Sequence, residues 1–435
     1  VRTLFYFFFS YLPYAPVKRI NKPDLSGPYI WACSHSNYLC DVIPGGTEGL
    51  SPTKYLAKST LFRFPIERFI RFCGALPVAR AEDFKDRAAD SRSMQNRSTF
   101  KAAIAEMELG WPVAIFPEGV SIVSPGLTLP LKAGVAKLAF AAEDANDFKL
   151  NLRVIPVGLE YGSRFKVASG LTIRFGQPLH LRDYQALYRS SREEGVKKLM
   201  ADITREMLHT FPHFRNESEL ALGKKLVALG LARSKFPVAQ IFLRQEENGD
   251  FWAGLGQRLR AFEEANKGQR IPLPAWGHRR AWKELGPQRR RRRAIFLALG
   301  FPLAILDAFN NSIPEFCLHS LVEQVAVDET EKMSLRFMLS PPVLGVLYGL
   351  QFFFLKKVVF EDSLAGAGFG AYVAYSLGSF CLWYFGVHWR RQFKRIASLY
   401  FFRRAGVDGR SEAVTYYRGL RQYLGEFQDH SGKGS

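Results

Sequence analysis

Acidic side chains are in short supply in this chain: 40 Asp and Glu stand against 60 Lys and Arg, a formal net charge of +20. Such an excess points away from basic partners and toward anionic ones: nucleic acid, anionic lipid or a phosphorylated small molecule. Paired cysteines are also missing. The five present (Cys33, Cys40, Cys73, Cys317 and Cys381) are scattered without metal-type spacing, and the eight histidines form no ligand cluster. That argues against a disulfide scaffold or a zinc site and for reduced thiols in a cytosol-facing protein. No internal repeat is visible, and no cleavable signal peptide reads from the first residues. A nucleic-acid reading would rest on charge alone, because no recognition motif or aromatic-interleaved basic groove supports it.

What the chain does have is length and aromatic residues. Its 435 residues suffice for two or three domains, and 37 phenylalanines dominate its aromatic content. Clustered phenylalanine favours lipid over nucleic acid. Thr3–Val17 is uncharged and rich in Phe and Tyr, but it is short and broken by Pro13 and Pro16. Residues 1–27 therefore read as an interfacial membrane segment, with a helix docked on the core as the alternative. Farther on, residues 216–293 are helical and charged and end in the run Arg289–Arg293. Because Ala294–Leu306 follows directly, that run reads as a juxtamembrane anchor for anionic headgroups.

Residues 294–395 read as a transmembrane or re-entrant helical region, and residues 396–435 as a basic cytosolic tail. Leu364–Val387 is long enough to span a bilayer, and Val343–Leu355 becomes so if Leu335–Pro342 joins it. Ala294–Ile313 contains Pro302 and Asp307 and reads as a re-entrant or tilted segment rather than a simple span. Basic residues before and after the region (Arg290–Arg293, then Arg390, Arg391, Lys394 and Arg395) place both flanks on the cytoplasmic side.

Residues 28–215 alternate short apolar runs with helical patterns at Ser98–Leu109 and Lys132–Ala142. The predicted strands are Tyr29–Cys33, Lys54–Ala57, Ala75–Val78, Val113–Phe116, Val154–Gly158 and Leu171–Phe175. This alternation predicts an α/β domain whose mixed, largely parallel sheet is flanked by helices, followed by an all-α membrane-associated C-terminal region. Chemistry in such sheets gathers at the carboxyl ends of strands. Pro156, inside a predicted strand, marks an edge or a bulge.

The first predicted strand runs into Ser34-His35-Ser36-Asn37-Tyr38-Leu39-Cys40-Asp41. A carboxylate can fix an imidazole tautomer while the other ring nitrogen takes a proton from a hydroxyl. Positions six apart lie about 240° around a helix, so the two meet only if His35 sits in a strand-to-helix turn with Asp41 just beyond. A capped turn, with His35 packed and Asp41 bonding backbone amides, explains the same residues.

Four more stretches follow in order: Lys54–Lys58, Gly74–Arg80, Phe116-Pro117-Glu118-Gly119-Val120-Ser121 and Val154–Leu159. Together with the His–Asp pair, their order and spacing resemble the glycerophospholipid acyltransferases that make lysophosphatidate and phosphatidate. The resemblance covers about residues 1–215. It implies that His35 is the catalytic base and Asp41 its partner. Lys58, Arg80 and Lys132 become candidates to hold the acceptor's phosphate, and Glu118, Gly119 and Ser121 line the same site. A helix-start role for Glu118, favoured by the helix dipole, remains the alternative.

The His–Asp spacing is one residue longer than in most members. It resembles a subgroup of glycerol-3-phosphate and dihydroxyacetone-phosphate acyltransferases with C-terminal membrane helices. Val120 and Ser121 depart from the family's usual Thr-Arg, so a phosphate-binding charge must come from elsewhere. The expected partners are an acyl thioester donor (acyl-CoA or acyl-carrier protein), a phosphorylated glycerol acceptor and anionic membrane lipids. No further cofactor, metal or nucleic acid is implied, and no Gly-x-Ser-x-Gly elbow provides for a covalent intermediate. Acylation of 1-acylglycerol 3-phosphate is the runner-up, and an inactive membrane-tethered binding protein is a third reading.

Overall fold

The computed structural model describes residues 17–35, 41–42, 53–59, 62, 67–72, 74–78, 89–120, 126–162, 170–211, 213–214, 216–231, 249–283, 285–326, 331–359, 368–407 and 411–431. The chain divides into two compact units, residues 1–214 with 329–334, and residues 215–328 with 335–435.

The first unit is built on a sheet of eight described strands: β1 (Val17–Ile20), β2 (Tyr29–Cys33), β3 (Lys54–Lys58), β4 (Ala75–Val78), β5 (Val113–Ile115), β6 (Arg153–Tyr161), β7 (Leu171–Phe175) and β8 (Leu179–His180). Their order is β1-β7-β6-β2-β5-β3-β4, with β8 pairing β6. Only β6–β7 and β6–β8 are antiparallel. β2 lies in the middle, and all five of its residues are buried, as a strand covered on both faces requires. The helices Ala89–Glu108, Gly134–Ala145 and Arg192–Thr210 accompany it, and Phe140, Leu199 and Ile203 join Ile30, Val113 and Val154 in one core. Ser191 starts the last of these helices by accepting the amide of Glu194 at 3.3 Å.

Three features differ from the sequence reading. Val17–Ile20 pairs with β7, so part of the stretch assigned to an interfacial segment is an edge strand of the sheet. Residues 1–16 of that segment lie outside the described residues. β6 extends to Tyr161, three residues beyond its predicted end. Finally, Pro156 is in an interior strand, not at an edge. The carbonyl of Val157 faces β2, where Ser34 donates to it, so Pro156 faces the other way. There β6 changes partner from β8 to β7, and the Pro156 carbonyl still accepts from Gly176 at 2.8 Å. The missing N–H falls where no ladder bond is due.

The second unit is helical among its described residues. Pro287–Val325 is one continuous helix through Pro302, Asp307 and Pro314. Side chains of the helix Phe369–Ala397 bond to it near these positions. The indole of Trp389 donates to the carbonyl of Leu297 at 3.0 Å, just ahead of Pro302. Asp307 is buried against Arg390, with Asn311 donating to it at 3.0 Å. Among the described residues two helices are long and apolar enough to cross a membrane, Pro287–Val325 and Met338–Lys357. Phe369–Ala397 carries the other apolar run and ends in Lys394 and Arg395; residues 360–367 before it lie outside the described residues.

Candidate active site

Because β2, β3, β5 and β6 are mutually parallel, their carboxyl ends lie side by side. His35 follows β2, Lys58 ends β3, Glu118 follows β5 and Tyr161 ends β6. The side chain of Lys58 is not among those described, and Arg80 and Ser121 lie outside the described residues.

Ser34 anchors the end of β2. Its amide donates to Val157 at 2.9 Å, and its hydroxyl accepts from the amide of Leu159 at 2.9 Å. Residues 36–40 lie outside the described residues, and Asp41 beyond them has helical backbone. His35 Nδ1 lies 3.0 Å from Asp41 Oδ2. Asp41 is 1% exposed, and its second oxygen accepts from the Tyr161 hydroxyl at 2.6 Å. A carboxylate only accepts, so Nδ1 carries the ring proton and Nε2 keeps its lone pair. The imidazole also stacks on Phe116, with centroids 4.1 Å apart and planes 20° apart. Its orientation is thus set on an edge and on a face.

Glu118 is buried, and both of its oxygens are engaged. Oε1 accepts the amide of His35 at 2.6 Å and Oε2 accepts the amide of Thr128 at 2.8 Å. Burial pushes its carboxyl above the usual range, against the lowering effect of these amides. Its carboxylate ties His35 to the loop that leads into Lys132.

That loop closes over the Pro117–Gly119 turn, where the Lys132 amide donates to Pro117 at 2.7 Å. Gly119 has φ +73°, and a Cβ there would come within 2.5–2.8 Å of the Lys132 side chain. Glycine lets the exposed ammonium of Lys132 lie across this turn. Cys33 is buried, and desolvation together with the nearby Asp41 raises its thiol well above the usual range, which removes it as a nucleophile.

The structure thus brings together His35, Asp41, Glu118, Gly119 and Lys132. It adds Tyr161, Phe116 and Thr128, for which the sequence reading had no role. Tyr161 was detectable only by extending β6 to its true end.

A family model described as Acyltransferase matches residues 15–160. These residues are an acyltransferase domain. Over 118 residues the chain is 36% identical to glycerol-3-phosphate O-acyltransferase 2 of Saccharomyces cerevisiae, covering 27% of this chain and 16% of that protein. Over 96 residues it is 33% identical to glycerol-3-phosphate O-acyltransferase 1 of the same yeast, covering 21% of this chain and 12% of that protein. The matched part is thus under a fifth of the length of these curated relatives. Among solved structures, the 1-acyl-sn-glycerophosphate acyltransferase of Thermotoga maritima matches with a TM-score of 0.30 and 18% identity, over 45% of this chain and 72% of that one. In this acyltransferase domain the His–Asp pair and the Phe-Pro-Glu-Gly turn both fall inside the matched segment.

Proposed function

We propose that this chain is a membrane-bound O-acyltransferase that moves a fatty acyl group from an acyl thioester to a hydroxyl of glycerol 3-phosphate or dihydroxyacetone phosphate. The observation that carries the reading is the His35–Asp41–Tyr161 chain, which leaves Nε2 as a base. Nε2 takes the hydroxyl proton as the oxygen attacks the thioester carbonyl. The C–O bond forms, the C–S bond breaks, and the imidazolium returns the proton to the leaving thiolate. Lys132, with Lys58, Arg80 and Ser121 as further candidates, holds the acceptor's phosphate and so keeps its hydroxyl near the base. No cofactor beyond the donor is needed.

Membrane attachment in this reading rests on the two apolar helices. The Arg289–Arg293 run ahead of them favours the cytoplasmic side for that flank. The test is a panel of acceptors (glycerol 3-phosphate, dihydroxyacetone phosphate and 1-acylglycerol 3-phosphate) against acyl-CoA and acyl-carrier-protein donors. His35→Ala is expected to lower kcat by about 10²–10⁴-fold on every competent pair. Equal activity of wild type and His35→Ala would remove His35 as the base. Activity on 1-acylglycerol 3-phosphate alone would move the assignment to the second acylation step.

A further inference from the structure

In the second unit three cations cluster with no carboxylate paired to them among the described residues. Arg279 and Lys283 lie four residues apart on the helix Leu273–Lys283, so they share a face. Arg418 reaches the same place from the helix Glu412–Ser431. The charge of Arg279 is the main influence holding Lys283 below its ordinary value, followed by burial and by Arg418. Burial lowers Arg279, and Arg418 adds to it. None of the three pairs with a carboxylate among the described residues.

Ring packing holds the cluster together. The Arg279 guanidinium lies 4.4 Å over the ring of Phe402. One turn earlier, Trp276 packs against Phe402 and Tyr417 with centroids 4.9 and 5.2 Å apart, and Tyr417 immediately precedes Arg418.

The cluster also sits at one end of the apolar helices. His278 Nδ1 is 2.9 Å from the hydroxyl of Ser398, the residue that closes the helix Phe369–Ala397. Arg290, at the start of Pro287–Val325, donates to the carbonyls of Trp282 and Lys283 at 3.0 and 2.8 Å. The Trp389–Leu297 hydrogen bond sets the start of one apolar helix level with the end of the other. Just past it, Ile295, Phe296, Leu299 and Phe301 are exposed. Arg279 is partly buried and has two exposed like charges beside it, an arrangement that an anion relieves, and here an apolar band begins next to them. A bilayer presents that combination, with phosphates immediately outside the hydrocarbon.

We propose that Arg279, Lys283 and Arg418 form a binding site for the phosphate of an anionic phospholipid at the end of the apolar helices, the headgroup supplying the missing counter-ion. The inference is independent of the catalytic reading, which concerns the other unit.

The test uses the full chain in nanodiscs of phosphatidylcholine alone and of phosphatidylcholine mixed with phosphatidylglycerol. Wild type is expected to melt several degrees higher in the anionic discs. Arg279→Gln/Lys283→Gln/Arg418→Gln loses at least half of that difference, yet melts no lower than wild type in neutral discs because the mutual repulsion is gone. The charge-matched Lys224→Gln/Arg260→Gln/Arg270→Gln, on exposed positions of the same unit, keeps most of it. Equal losses in the two triple variants would overturn the site, as would no difference between discs for wild type. A cluster variant that melts lower in neutral discs would mean a structural role. Inorganic phosphate reproducing the shift in neutral discs would mean a free-anion site and not a lipid site.

Discussion

Asp41 has two oxygens with different tasks: one orients His35, and the other is held by the phenol of Tyr161. Removing a hydrogen bond to a charged group costs on the order of 1.5–3 kcal/mol, and here part of that cost falls on the geometry of the base. Tyr161→Phe is therefore expected to lower kcat about tenfold while the acceptor KM stays within about twofold, as measured by steady-state kinetics. Glu118 provides a stability test. Its folded-state pKa is raised by burial, so its stabilising contribution is full below the ordinary carboxylate range and is lost as pH rises through the raised value. Glu118→Gln has no such titration, so the melting temperature of wild type relative to the variant falls as pH increases from acid to neutral. A pH-independent difference would show that burial does not dominate Glu118.

At the scale of elements, a turn and a helix pair stand out. Gly119 combines a left-handed backbone with Lys132 lying where a side chain would go. Gly119→Ala is expected to cost about 1 kcal/mol in stability and, by displacing the ammonium, to raise KM for the phosphorylated acceptor more than it lowers kcat. Unfolding curves and acceptor titrations check the two parts. In the second unit, Gly386 lets the carboxylate of Asp307 approach the Phe369–Ala397 helix, because a Cβ there would collide with it. Arg390→Ala leaves that carboxylate buried beside only Asn311, for an expected loss of about 3 kcal/mol. Asp307→Asn/Arg390→Gln is expected to lose clearly less, since no unpaired charge remains. A double variant less stable than the single one would contradict this.

Across the whole molecule, apolar surface is divided unevenly. In the first unit it fills one core, whereas only 22% and 6% of the apolar windows of Pro287–Val325 and Met338–Lys357 are buried. The protein is expected to stay in the membrane pellet through an alkaline carbonate wash and to leave it only with detergent. The α/β pattern, the strands Tyr29–Cys33, Ala75–Val78 and Leu171–Phe175, and the approach of His35 to Asp41 were legible in the sequence, because apolar runs and local spacing are one-dimensional signals. The interior position of Pro156, the reach of Tyr161 to Asp41, the engagement of Glu118 by two amides and the continuity of Pro287–Val325 were not. Each depends on a partner far along the chain: β8 and β7 for Pro156, β6 for Asp41, Trp389 and Arg390 for the long helix. The sequence alone determined the order of the strands along the chain, the local spacing that lets His35 approach Asp41, and which helices are apolar. Only the tertiary structure decided which distant residues face one another, because hydrogen bonds between distant elements follow from strand order and helix packing and leave no periodicity to read.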